Sequence, residues 1–547
     1  MVYIPTTPEN QGHGQQAPCK HWQRTGWLFI LLLLAAYLAF FTPCLSNVPQ
    51  GDDLSSILPF VQHWHEASAA DRISALFSQY FSHRIVLTKL TAIAVDHIEG
   101  HLNLVVMQAM GLALWSALAL YGVWYCANRT KNVWLALPVA LLLLNPKGMT
   151  NVLIAMQSVS NIGIFVLAVL ATTLVVRASP VLFSIALLSS AVAIFTLANG
   201  LVLPPLLTLL LILKKDYRRA TVCFVIGTTA TACYFRGFEP PESVSFSLSE
   251  FTANVAMMIG GPLRLDRLQT HVTELIGGAL LTAAAATLFR HRKHLLAEPL
   301  AMFILFLLGS IILTAYGRLG WGSEYMLQDR YSPYGLLLAA CTWGLNITPN
   351  TRTAVSMPAI AAAALVSFCA YVSACPTLVE NDRTAQAIII NQQLGVNISR
   401  DEWSKNAANQ AQAIASNVLR MPAPSATTPS SMVVGTLARQ AESTRSTQKF
   451  LLTRDPARAA YSLIPAAGYS PEPTEYCLLL TYAHVYILPG ACVRAPYLSA
   501  FLHLDPILHD RAVYIWPTNN PSDNPVAIVG IQRTKANRWS ITWRGDL

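Results

Sequence analysis

Apolar runs close to the length of a bilayer recur through the first two-thirds of this chain, and few folds are open to a chain built that way. They lie at about 26–43, 103–126, 133–145, 161–176, 180–198, 201–213, 220–235, 272–289, 299–316, 333–347 and 354–374. Crossing the hydrocarbon takes about 20 consecutive apolar residues in a helix. In lipid the backbone amides of such a segment must be satisfied internally, which a helix does. The spacing predicts an α-helical polytopic membrane protein of about eleven transmembrane helices. The runs at 133–145 and 201–213 are short for a full crossing, and read as tilted, extended by polar turns, or re-entrant. Composition agrees: 53% of the 547 residues are hydrophobic and 12% are charged, with a mean hydropathy of +0.43. A soluble domain carries about 25% charged residues.

The placement of basic residues orients the chain. "NRTK" follows the second run, "VRASP" the fourth, "LKKDYRRA" the sixth, "FRHRKH" the eighth and "TPNTRT" the tenth. Lys and Arg concentrate in cytoplasmic loops. With the basic N-terminal stretch (Lys20, His21, Arg24), this alternation predicts a cytoplasmic N-terminus and an extracytoplasmic tail. The first apolar run has no small-residue cleavage site after it, so it reads as an uncleaved span rather than a signal peptide. The formal net charge of +9 belongs to this asymmetry. It does not mark a nucleic-acid partner, because no basic cluster is interleaved with exposed aromatics.

Three parts follow: a cytoplasmic tail at 1–25, a transmembrane domain at 26–374 with a long first outer loop at 44–102, and an extracytoplasmic domain at 375–547. In the last, a helical pattern over 383–420 gives way to "MPAPSATTPSS" and then to strand-like alternation in "CLLLTYAHVYIL" and "VAIVGIQ". An α+β domain is expected there. Cys477 and Cys492 flank one such strand and are a disulfide candidate in an oxidising compartment. The ten cysteines show no metal-ligand spacing, and most sit in apolar runs as small core residues.

Polar residues that could carry chemistry fall on the outer side. Asp52 and Asp53 in "NVPQGDDLSSILPF" follow the first span directly. Two readings stand: a helix cap, which explains one Asp well, and a general base or a metal-binding acid at the outer membrane face. In "YFSHRIVLTKL", His83 and Arg84 suit a phosphate, while Lys89 suits a snorkelling contact. "AMQSVSN" carries Gln157 and Asn161, either substrate-binding amides or helix-to-helix partners. "LANGL" makes a tight turn at Asn199-Gly200. "YGRLGWGSEYMLQDRYSPYG" crowds Arg318, Glu324, Asp329, Arg330 and Tyr331 between two spans. Interfacial arginines have partners, either an acid in the loop or the phosphate of a lipid.

The order of these motifs resembles the GT-C superfamily of membrane glycosyltransferases, including protein O-mannosyltransferase-like enzymes and bacterial polyprenyl-phosphate-sugar-dependent relatives. The resemblance covers roughly 25–350. Ser82 stands where many relatives have Glu. It implies a GT-C-like fold and inverting transfer of a sugar from a polyprenyl-phosphate donor to a glycan, lipid or protein acceptor. In that role Asp52 or Asp53 is the base. His83, Arg84, Arg318, Arg330 and Tyr331 hold the donor phosphate, and Gln157 and Asn161 contact substrate. Some relatives place a divalent metal at the acidic pair and others use none. The expected partners are membrane lipid, the lipid-linked sugar and its acceptor, in a bacterial inner membrane with the tail periplasmic. The competing readings are a transporter or lipid-linked oligosaccharide flippase, an O-antigen polymerase or ligase, and a relative that keeps the fold without catalysis.

Overall fold

The structure is a computed structural model. It describes residues 20–177, 179–240, 245–263, 270–293, 298–351, 353–393, 412–421 and 431–443. In the tail it also describes the backbone of 448–455, 460–465, 476–481, 485–489, 513–515, 525–533 and 539–546.

The chain is a helical membrane protein. Among the described residues, six helices are long and apolar enough to cross a bilayer: His21–Cys44, Leu104–Thr130, Ala155–Leu174, Thr270–Arg290, Pro299–Tyr316 and Ser356–Cys375. Eleven were expected, and the difference has a geometric cause. Val133–Leu143, Pro180–Ile194 and Ala198–Leu213 are apolar but shorter, and Ser332–Asn346 has 15 residues. At about 1.5 Å per residue, 15 residues reach only about 22 Å. Tyr217–Phe235 is long enough, but its threonines and arginines dilute its hydropathy.

The helices that matter for function are α1 (Lys20–Phe41), α2 (Asp52–Ser55), α3 (Ile57–Glu66), α4 (Ala69–Phe77), α5 (Val86–Glu99) and α6 (Leu104–Thr130). After them come α7 (Leu137–Leu143), α8 (Thr150–Leu153), α9 (Ala155–Leu174), α10 (Pro180–Ile194), α11 (Leu203–Leu213) and α12 (Tyr217–Phe235). The bundle is completed by α13 (Leu248–Gly260), α14 (Thr270–Arg290), α15 (Pro299–Tyr316), α16 (Ser332–Asn346) and α17 (Thr353–Gln393).

Polar contacts fix which helix ends meet. Gln23 of α1 donates to the Lys131 carbonyl and accepts from the Val133 amide, each at 3.0 Å, just past the end of α6. At the same end Arg129 pairs with Glu298 at 2.9 Å. At the opposite end the Ser46 amide donates to Gln108 of α6 at 3.0 Å, and Gln108 donates to the Leu153 carbonyl at 2.8 Å. The end of α1, the start of α6 and the start of α9 therefore meet at one end of the bundle.

The long segment 44–102 folds on itself there. Leu54, Ile57, Leu58, Val61, Ile85, Ala92 and Val95 are buried together, with Ala413, Val418 and Leu419 from the tail. Helix α4 starts at Ser68, whose hydroxyl accepts the Asp71 amide and donates to the Asp71 carboxylate. Its other end has its free carbonyls turned toward two cations, as a helix C-terminus favours. Lys89 donates to the Ala75 and Ser78 carbonyls at 2.7 and 2.9 Å. Arg84 donates to the carbonyls of Phe77, Tyr234 and Arg236. Lys89 is thus buried on carbonyl oxygens, not snorkelled. Burial, and secondarily Arg84, pushes its pKa down to about 8.

Helix α17 runs without a break from the span Ser356–Cys375 to Gln393, so the expected boundary at 374/375 lies within one helix. Beyond its apolar part, Ala385, Ile388 and Ile389 pack on Val48. The segment 412–421 docks on the first loop, where Leu102 donates to the Val418 carbonyl at 2.7 Å and Asn47 to the Arg420 carbonyl at 2.6 Å. Backbone pairing then joins seven strands (β1 Gln448–Asp455, β2 Ala460–Pro465, β3 Tyr476–Thr481, β4 Val485–Pro489, β5 Val513–Ile515, β6 Pro525–Arg533, β7 Trp539–Asp546) in the order β4-β3-β6-β7-β1-β2-β5. Cys477 lies in β3 opposite Leu488. Cys492 lies outside the described residues, and so the disulfide candidate does too.

Candidate functional site

The two adjacent aspartates have different surroundings. Gly51 precedes them at φ 49, left-handed backbone that glycine adopts without strain. Asp53 is fully buried. Its carboxylate accepts the backbone amides of Ala155 at 3.2 Å, Met156 at 2.7 Å and Gln50 at 3.4 Å. Ala155 and Met156 open α9, so Asp53 caps that helix from another part of the chain. The free amides and positive dipole end of a helix N-terminus favour a carboxylate there. Capping therefore describes Asp53, across space rather than on its own helix.

Asp52 keeps a side chain 26% exposed. It accepts from Gln157 Nε2 at 2.9 Å and from the Tyr80 hydroxyl at 3.2 Å, and Arg330 stands 4.0 Å away. Burial and the neighbouring Asp52 charge hold the Tyr80 phenol protonated, as the donor to Asp52. Its hydroxyl also meets Ser55 Oγ at 2.8 Å. Tyr80 is aimed by a tight turn in which Tyr80 and His83 exchange backbone bonds of 2.7 and 2.9 Å over Phe81, at φ 47. Such backbone is costly for a non-glycine residue and clusters at functional sites.

The other side of the cluster is cationic. Arg330 Nη2 donates to the Tyr325 hydroxyl, and its guanidinium lies 5.1 and 5.2 Å from the rings of Tyr325 and Tyr331. Arg318 Nε donates to the Tyr331 hydroxyl at 3.2 Å, over Trp321. Burial, then the charges of Arg318 and Arg330, push His83 down to about 4. The imidazole is therefore neutral at physiological pH, with one N–H and one lone pair.

Three buried atoms around this cluster have no hydrogen-bond partner: His83 Nδ1, Gln157 Oε1 and Arg330 Nε. Gln157 gives its amide hydrogens to Asp52, which fixes its oxygen on the other side. Each such atom costs about 1–3 kcal/mol if left unsatisfied. Three of them near one partly exposed carboxylate call for an explanation, of which a bound polar group is one.

Not every predicted residue joins them. Arg84 spends its guanidinium on three carbonyls. Asn161 donates to Asn151 at 2.7 Å, and Asn151 donates to the Arg330 carbonyl at 3.1 Å, so Asn161 supports the loop. Asp329 takes the Gly148 and Thr150 amides at 2.7 and 3.1 Å. It repeats the capping role of Asp53 on α8. Burial raises its pKa, with the Gly148 and Thr150 amides opposing. Gly148 there sits at φ +87 against Pro333. Glu250 holds the Gly320 and Gly322 amides at 2.8 and 3.3 Å. The loop carrying both arginines is thus fixed by carboxylates on backbone amides. Asn199 donates to Tyr334 and Thr314 in a short 3-10 helix, a structural role as expected. Tyr80, Ser55 and Tyr325 were not singled out in the sequence, although Tyr80 stands three residues before His83 and Tyr325 between the two arginines.

The acidic pair does not fit a divalent metal. Both Asp53 oxygens are occupied by amide hydrogens, and Asp52 faces a guanidinium. Among the described residues no group of three or more His, Cys, Asp or Glu converges on a point.

The inequality of the two aspartates gives a pH signature. Burial raises Asp53 to about 7, against the three backbone amides that favour its charge. A carboxyl whose folded pKa lies above its unfolded value binds its proton more tightly when folded. Its stabilising contribution is full below the unfolded value and is lost as pH rises through about 7. His83, held down to about 4, has the opposite slope below about 6.5, so the Asp53 contribution is read as the difference in thermal unfolding between wild type and Asp53→Asn from pH about 5 to about 8. Asp53→Asn removes this slope and lowers stability by about 1–3 kcal/mol, since one amide oxygen replaces two carboxylate oxygens. Equal slopes in both proteins would contradict the assignment.

No family model, curated protein or solved structure matches the chain.

Proposed function

We propose that this chain is a GT-C-type membrane glycosyltransferase, moving a sugar from a polyprenyl-phosphate donor to an acceptor hydroxyl on the extracytoplasmic face. One observation carries the reading. A partly exposed carboxylate, Asp52, stands 4.0 Å from Arg330, which shares Tyr331 with Arg318, and both guanidiniums act on the buried, neutral imidazole of His83. That combination offers a base and an anion site a few ångströms apart, at the end of a bundle embedded in lipid.

In this reading Asp52 takes the proton of the acceptor hydroxyl as its oxygen attacks the anomeric carbon. The bond from that carbon to the phosphate oxygen breaks, and the electron pair leaves with the lipid phosphate. Arg330 and Arg318 stabilise the charge that develops there. Neutral His83 hydrogen-bonds the phosphate without adding charge. Tyr80 and Gln157 aim the Asp52 carboxylate. Among the described residues the two other aspartates of these motifs, Asp53 and Asp329, are committed to backbone amides, which supports a single, inverting displacement with Asp52 as the base. Arg84, placed among the phosphate ligands by the resemblance, holds the loop instead.

The basic stretches around Lys20–Arg24 and Arg129–Lys131 meet at the end of the bundle away from the site, which supports an orientation with that end in the cytoplasm of a bacterial inner membrane. On this orientation the site and the α+β tail are periplasmic. The docked segment 412–421 supports the tail's place beside the site. The test is transfer in proteoliposomes supplied with a panel of polyprenyl-phosphate sugars and hydroxyl acceptors. The expected result is donor-dependent transfer with release of polyprenyl phosphate. Absence of turnover with every donor, in folded protein, would overturn the assignment.

A further inference from the structure

A cavity of about 230 Å³ lies beside Tyr80, among Ser55, Phe60, His63, Ala75, Ser78 and Lys89. Its polar lining has an unusual balance. Lys89 Nζ already donates three times, to the Ala75 carbonyl, the Ser78 carbonyl and Ser78 Oγ. Ser78 donates to the Ala75 carbonyl at 2.8 Å, Ser56 donates to the Asp52 carbonyl, and Tyr80 donates to Asp52. Gln79 gives its amide hydrogens to the Phe81 and Glu239 carbonyls. Those hydrogens are spent, and a ring N–H of His63 and hydroxyl oxygens with free lone pairs remain.

An anion needs donors, and this lining offers few. A ligand that brings several O–H groups fits it. Phe60 and Ile85 add apolar walls for the C–H face of a ring. Tyr80 joins the cavity to the base, with its hydroxyl 2.8 Å from Ser55 Oγ and 3.2 Å from Asp52.

We infer that this cavity binds the acceptor, and that the acceptor group is a neutral sugar ring presenting its attacking hydroxyl past Tyr80 toward Asp52. The inference rests on the transferase reading for its role in turnover, but the cavity's preference for a neutral sugar stands on the lining alone. The test therefore has two readouts on the full chain in lipid nanodiscs. The first is binding of methyl glycosides, followed by saturation-transfer NMR, in wild type, Ala75→Phe and His63→Ala. Ala75→Phe fills the cavity from α4 while keeping the backbone carbonyl that Lys89 uses. Saturation transfer is expected in wild type, weakened at least severalfold in His63→Ala and lost in Ala75→Phe. Equal signals in wild type and Ala75→Phe, or stronger binding of a sugar phosphate than of the neutral glycoside, overturn the inference.

The second readout is turnover. Ala75→Phe is expected to raise the acceptor KM at least tenfold. An unchanged KM overturns the acceptor role. Glycoside binding without turnover of any donor keeps the sugar site and overturns the transferase reading, so the two failures are distinct.

Discussion

Asp52→Asn is expected to slow sugar transfer by roughly 10²- to 10⁴-fold, the usual worth of a positioned general base, in a protein that folds normally and still binds its donor. The substitution is close to isosteric. The amide oxygen still accepts from Tyr80 at the position held by the carboxylate, and Gln157 can turn its own oxygen to the new N–H₂ group. What disappears is the capacity to take a proton. Single-turnover transfer at saturating donor isolates that step, and a separate binding measurement with the donor lipid should agree with wild type within a factor of about two, since no phosphate ligand has changed. A transfer rate within severalfold of wild type would mean that Asp52 only holds Tyr80 and Gln157 in place.

Arg330→Gln comes second in expected effect. Arg330 faces Asp52 at 4.0 Å and is clamped by Tyr325 and Tyr331, with its Nε buried and unpartnered. A guanidinium so held is organised before the charge appears on the leaving phosphate, which is when electrostatic stabilisation is most effective. Loss of one such donor costs roughly 10²- to 10³-fold in turnover. Arg330→Lys keeps the charge but not the planar fork, and should recover part of the loss. A structural role alone would lower the folded yield and leave turnover per folded protein in place. Arg84→Gln provides the contrast. It uncovers the carbonyls of Phe77, Tyr234 and Arg236 and should reduce stability without lowering turnover per folded protein.

The contrast between Arg84 and Arg330 shows what the amino-acid sequence could and could not say. Both arginines follow aromatic, polar stretches near an apolar run, and both suit a phosphate by composition. Only the path of the chain decides that α12 brings carbonyls to one, while the loop before α16 brings tyrosines and Asp52 to the other. The same holds for the aspartate pair. Two adjacent acids after a span are visible at once, but Asp53 is claimed by the start of α9, about a hundred residues away. Helix length was misread for a different reason. Apolar runs at 133–145 and 333–347 are buried in the bundle as short helices, and burial in protein calls for the same residues as burial in lipid. The Tyr80–Ser55 link left no signal, since it depends on a four-residue turn through an unfavourable backbone at Phe81. Clustering of the polar motifs at one end was legible, because each stands where an apolar run stops.

The most direct measurement is the anomeric configuration of the product, read by NMR after transfer from a donor of defined configuration in proteoliposomes. A single displacement with Asp52 as base and the lipid phosphate as leaving group gives a product of inverted configuration. Retention would mean either a covalent sugar intermediate on a carboxylate such as Asp52 or attack from the same face as the leaving phosphate, and both contradict Asp52 as the general base of a single displacement.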